Sequence, residues 1–181
     1  MVHGSARQLM LLWHAGAWLQ HPSTLWTASL VHLSPAHWLV TLGALLVLAV
    51  LGVFLRAQWP ATLAVLLAWP LGTLALAIWP QISYYAGMSG LLMAMLAVLG
   101  VHAWRPGSRI AAAVLLAALA IKLLSEKAWS QPMAFDPYWG FNVVNAAHLS
   151  GAAAGTACAM LVRTALALLA RKPSGAAANA R

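Results

Sequence analysis

The chain has 181 residues, 63% of them hydrophobic and only 7% charged, with ten Lys and Arg against two acids and a net charge of +8. Soluble domains carry about 25% charged residues, so this composition excludes a water-soluble globular fold, a disordered chain and a coiled coil. The basic residues are sparse and interleaved with long apolar runs, which reads as membrane topology rather than nucleic-acid binding. A single cysteine, Cys158, leaves no internal disulfide.

From the N-terminus, Arg7 precedes an apolar run over 9–19 that is too short to span a bilayer. With Ala15-Gly16-Ala17 it faintly resembles a signal peptide. The preferred reading is a partly embedded interfacial segment, with His14, Trp18 and His21 near the headgroups. Five stretches then read as spans: 37–55, 60–79, 84–104, 110–124 and 139–170. Backbone groups inside lipid must be satisfied within the segment, which predicts α-helices, and no alternating pattern suggests a β-barrel. The expected fold is an all-α polytopic membrane bundle forming one domain over 1–170, with a short polar cytoplasmic tail over 171–181. Trp38, Trp59, Trp79, Trp104, Trp129 and Trp139 fall at or near the proposed ends, as an aromatic belt requires. Trp69 is mid-span, and Pro70 is expected to kink its helix.

Orientation follows from the cations. If the first span runs inward, Arg56, Arg105, Arg109, Arg163, Arg171, Lys172 and Arg181 are cytoplasmic, whereas Lys122 and Lys127 are outside. Both acids, Glu126 and Asp136, then belong to the outer loop. On this topology Ser89 and His148 lie roughly 8 and 13 Å below the outer boundary, close enough in depth to meet. Ser89 sits between glycines in Gly87-Met88-Ser89-Gly90, a setting that suits a tight exposed turn or a close helix contact. Near a helix start, its neighbouring N–H groups are free to hold a developing oxyanion. His148, Gly151 and Gly155 share one helical face, and Gly90, Ala94 and Ala97 offer a matching small face.

Three segments together resemble the rhomboid family of intramembrane serine proteases: SLVHLSPAHWLVT (29–41), YYAGMSG (84–90) and AHLSGAAAG (147–155). Within that family the likeness is greatest to rhombosortases, through LVHLS, Tyr-x-Gly-x-Ser-Gly and Lys122-x-x-x-Glu126. The resemblance implies a serine endopeptidase of a bacterial inner membrane, acting on membrane-anchored proteins with a GlyGly-containing C-terminal sorting tail. It implies Ser89 as nucleophile, His148 as general base, His37 in the oxyanion hole with Thr41, Gly87 and Met88 in support, and His32 lining the site. Thr41 stands where the family has Asn, and Met93 where it has an aromatic or a histidine. The family's first span has no recognisable counterpart before residue 30.

A Ser–His dyad is expected, because a carboxylate embedded beside the imidazole is costly. Lys122 and Glu126 read first as a snorkelling i,i+4 pair, and second as a substrate contact. No cofactor or metal is implied: haem would need axial ligands such as His37 and His148 at matching depth, and no Cys-x-x-Cys-His or His-Glu-x-x-His occurs. The rival reading is a catalytically inactive rhomboid-like protein that binds transmembrane clients.

Overall fold

The computed structural model describes residues 10–170. A short helix α1 (Thr24–Thr27) runs into a 3-10 turn, Ala28–Leu30. Five longer helices follow: α2 (Pro35–Phe54), α3 (Trp59–Leu74, extended by a 3-10 turn to Ile78), α4 (Ser89–Ala103), α5 (Arg109–Glu126) and α6 (Asn145–Ala170). Two small antiparallel ribbons complete the chain: β1 (Trp13–His14) pairs with β2 (Tyr84–Tyr85), and β3 (Ala134–Asp136) pairs with β4 (Phe141–Val143).

Five helices stand where five spans were expected, but three are long and apolar enough to cross a membrane: Pro35–Phe54, Trp59–Ile78 and Asn145–Ala170. α4 is apolar but shorter, and α5 carries Arg109, Lys122 and Glu126. The third and fifth expected spans begin later than hydropathy suggests. Tyr84–Tyr85 and Phe141–Val143, which fall inside the expected spans, are extended strands. Gly87, at φ +122°, separates β2 from α4, a conformation that excludes most other residues.

α2 starts at a capped end: Ser34 Oγ accepts the His37 N–H at 3.1 Å, and Pro35 occupies the first turn. Pro60 plays the same part in α3, and Pro70 lies inside that helix. α4, α3 and α6 pack through small residues. A Cβ on Gly72 would lie 3.2 Å from the Gly151 Cα, and one on Gly151 would fall onto the Gly90 carbonyl oxygen. One on Gly155 would strike the Ala94 backbone, while Ala97 packs with Leu119 and Ala152. The expected pairing of small faces is therefore present, with Gly72 of α3 as an additional member.

The N-terminal segment is anchored through Trp13. Trp13 is fully buried with Leu76, Ile82, Tyr85, Ala146 and Ala147, and β1 ties the segment to the loop before α4. It is pinned to the bundle. Arg7 and the 171–181 tail lie outside the described residues. At the opposite end, Arg105 Nη2 donates to the Leu55 carbonyl at 2.6 Å and Arg163 Nη1 to that of Trp104 at 3.4 Å. Two arginines thus tie α2, α4 and α6 together on the side away from both acids.

Candidate active site

Ser89 is the first residue of α4, and His148 lies in the first turn of α6. The contact that joins the two helix starts is between Gly90 and Ala147, the immediate neighbours of these residues: a Cβ on Gly90 would lie 2.9 Å from the Ala147 carbonyl oxygen. His148 is buried and Ser89 half-buried. Among the described residues no hydrogen bond joins the Ser89 hydroxyl to the His148 ring.

The Ser89 turn is held from several sides. Tyr85 Oη donates to the Gly87 carbonyl at 2.6 Å and accepts the Gly90 N–H at 3.3 Å. Burial pushes the Tyr85 phenol up to about 12, so it remains a protonated donor. The Gly87 N–H donates to the Ala28 carbonyl at 2.9 Å. The first intrahelical bond of α4 runs from the Leu92 N–H to the Met88 carbonyl. The N–H groups of Met88 and Ser89 precede that bond, at the positive end of the helix.

His37 covers this turn. Its Cε1 lies 3.2 Å from where a Gly87 Cβ would be, and its Nδ1 is buried without a partner among the described residues. The ring packs edge-on against Trp139 and Phe141, with centroids 5.3 Å away in each case. Those two aromatics belong to the β3–β4 hairpin. Asp136 closes the hairpin by accepting the Tyr138 N–H at 2.8 Å and the Trp139 N–H at 3.3 Å. One of the two acids is therefore a turn cap.

The other acid reaches the imidazole. Glu126 Oε2 lies 2.7 Å from His148 Nδ1, and Glu126 Oε1 lies 2.6 Å from Lys122 Nζ. Asn145 Nδ2 donates to the Gln131 carbonyl at 3.2 Å and the Glu126 carbonyl at 3.4 Å, tying the end of α5 to the start of α6. A serine at a helix N-terminus and a histidine on an adjoining glycine-faced helix thus share one end of a membrane bundle.

A profile of the Rhomboid domain matches residues 19–165. The chain belongs to the rhomboid family. Rhomboids are generally serine intramembrane proteases that act on membrane protein substrates, and this rhomboid is a multi-pass membrane protein. Comparison with curated proteins and with solved structures gives no match.

One expectation about this rhomboid's site needs correction. The carboxylate expected to stay clear of the imidazole is in contact with it. The reason is the helix start: His148 was placed about nine residues into its span, whereas α6 begins at Asn145. At about 1.5 Å per residue, the difference brings His148 up to the level of the last residue of α5. There a carboxylate needs no deep burial, and the Glu126 side chain retains 13% exposure. Lys122 does form the expected i,i+4 pair, but with only one of the two carboxylate oxygens.

Thr41 lies one turn along α2 from His37. Its hydroxyl lies 2.8 Å from His32 Nε2 and 2.9 and 3.0 Å from the carbonyls of His37 and Trp38. None of these hydrogen bonds goes to Ser89 or Gly87. Burial lowers the pKa of His32, which keeps it neutral at pH 7 and suited to share a proton with Thr41. Tyr85 had no assigned role in the motif reading, although Tyr-x-Gly-x-Ser-Gly contains it. His14 and His21 lie on the N-terminal segment, and among the described residues no cluster of three or more His, Cys, Asp or Glu could hold a metal.

Proposed function

We propose that this chain is an intramembrane serine endopeptidase in which His148 activates Ser89. The observation that carries this reading is the meeting of the two helix starts at the close Gly90–Ala147 contact. His148 takes the Ser89 hydroxyl proton as the oxygen attacks the scissile carbonyl, then gives it to the leaving amine, and water releases the acyl group. The Met88 and Ser89 N–H groups and the unpartnered His37 Nδ1 hold the oxyanion; one such donor contributes about 3 kcal/mol. Thr41 supports this assembly indirectly, by fixing His32 beside His37, whose rings lie 5.4 Å apart.

The domain comprises 1–170, with the polar 171–181 tail cytoplasmic. The positive-inside bias favours Arg56, Arg105 and Arg163 in the cytoplasm and the site at the outer leaflet, and the rhombosortase-like motifs favour a bacterial inner membrane. Substrates are membrane-anchored proteins, and the rhombosortase-like motifs favour those with GlyGly-type sorting tails. Coexpression with a GlyGly-tailed reporter tests this reading: wild type cleaves the tail, whereas Ser89→Ala and His148→Ala leave it intact. Equal processing by all three removes the protease assignment and leaves client binding as the function.

A further inference from the structure

Glu126 is the only carboxylate in contact with a histidine among the described residues, and the serine–histidine reading makes no use of it. Its two oxygens are divided between two partners, His148 Nδ1 at 2.7 Å and Lys122 Nζ at 2.6 Å. The three side chains grade outward: the His148 side chain is 5% exposed, Glu126 13% and Lys122 49%. An acid placed only for solubility would follow the opposite gradient, with the carboxylate outermost. Here Lys122 is on the solvent side and the carboxylate faces inward, onto the ring.

An ionised carboxylate accepts hydrogen bonds and donates none. The 2.7 Å contact therefore requires a proton on His148 Nδ1, and in the neutral ring this leaves Nε2 with the free lone pair. That is the tautomer a base needs in order to take the Ser89 proton. When Nε2 receives it, the ring becomes a cation beside an anion already in place, so the new charge requires no rearrangement of the site. Lys122 balances the carboxylate before the proton moves and fixes its plane by holding the other oxygen. His37, on α2, is the remaining titratable group near the ring. Being basic, it cannot supply this stabilisation.

We infer that Glu126 is a positioning residue for His148, making a Ser89–His148–Glu126 relay with Lys122 as its outer anchor. The inference rests on the serine–histidine reading above, and its test is chosen to fail separately from it. Full-length protein in detergent is reacted with a fluorophosphonate, and the maximal labelling rate is measured apart from the probe's half-saturating concentration. The tautomer of His148 is read in parallel from ¹⁵N shifts of the histidine-labelled chain.

Glu126→Gln keeps the side chain's size and removes its charge. The expected result is a labelling rate about 100- to 10,000-fold lower, as when the acid of a serine-protease triad is replaced. The half-saturating concentration and thermal midpoint stay close to wild type. Glu126→Asp recovers part of the rate, and Lys122→Met loses less than tenfold. In wild type the ¹⁵N shifts show Nδ1 protonated, and in Glu126→Gln they show loss of that preference. If Glu126→Gln labels within threefold of wild type while Ser89→Ala does not label, the inference falls and the serine–histidine reading stands. A wild type with Nε2 protonated also overturns the inference alone. A wild type that does not label at all overturns both.

Discussion

α6 and α2 both bring a histidine to the same site, yet they are held in opposite ways. α6 buries a continuous face that includes Ala147, His148, Gly151, Ala152, Gly155, Cys158 and Ala159, and it meets α3 and α4 backbone to backbone. Between Pro35 and Phe54, α2 buries Thr41 alone. It touches the rest of the bundle near its ends, through His37 and Thr41 at one and Leu48, Leu51 and Leu55 at the other. The difference matches the tasks assigned to them. A proton transfer between Ser89 and His148 tolerates little error in distance, and glycine contacts leave no rotamers to blur it. A donor to an oxyanion needs only to point correctly, and His37 is steered by the aromatic pair Trp139 and Phe141 rather than by helix packing.

The contrast is broken most severely on α6. Gly151→Leu places a side chain on the Gly90 carbonyl, so α4 and α6 must separate; thermal unfolding in detergent should show a loss of about 3 kcal/mol or more, together with abolished labelling of Ser89. On α2 the expected effects are chemical. His37→Phe keeps the aromatic stack and removes the donor, so the labelling rate should fall about 100-fold while the thermal midpoint changes little. Gly87→Ala forces a side chain into φ +122° and against the His37 ring. It should cost about 1–3 kcal/mol of stability and roughly tenfold in rate, read from the same two measurements. The smallest effect is expected at Thr41. Thr41→Val removes hydrogen bonds to His32 and to the helix's own backbone, at a cost of about 1 kcal/mol. The rate should stay within threefold; a 100-fold loss would mean that the hydroxyl reaches the oxyanion after all.

The small-residue faces could be read directly, because a period of three to four residues in AHLSGAAAG defines a side of a helix with no other input. The helix starts could not. Hydropathy does not distinguish Phe141–Val143 in a ribbon from the same residues in a span, and that ambiguity hid the level of His148. Glu126 was missed for the same reason: its motif with Lys122 was visible, but its partner 22 residues later was assigned to the wrong depth. Embedded carboxylates are costly, but Glu126 meets His148 at the helix ends, where its side chain keeps partial exposure. The fully buried Trp13 was likewise unreadable, since its partners Leu76, Ile82 and Tyr85 come from distant parts of the chain. His37 was identified by resemblance to rhomboids. Its orientation over Gly87 depends on the β3–β4 hairpin, which Asp136 caps and Gly140 turns at φ +73°.

Fluorophosphonate labelling of the full chain, followed by mass mapping of the modified residue, tests the central claim most directly. The account predicts one adduct, on the Ser89 hydroxyl, formed by wild type and absent from both Ser89→Ala and His148→Ala. An adduct on another residue, or labelling of Ser89 that persists undiminished in His148→Ala, would contradict it.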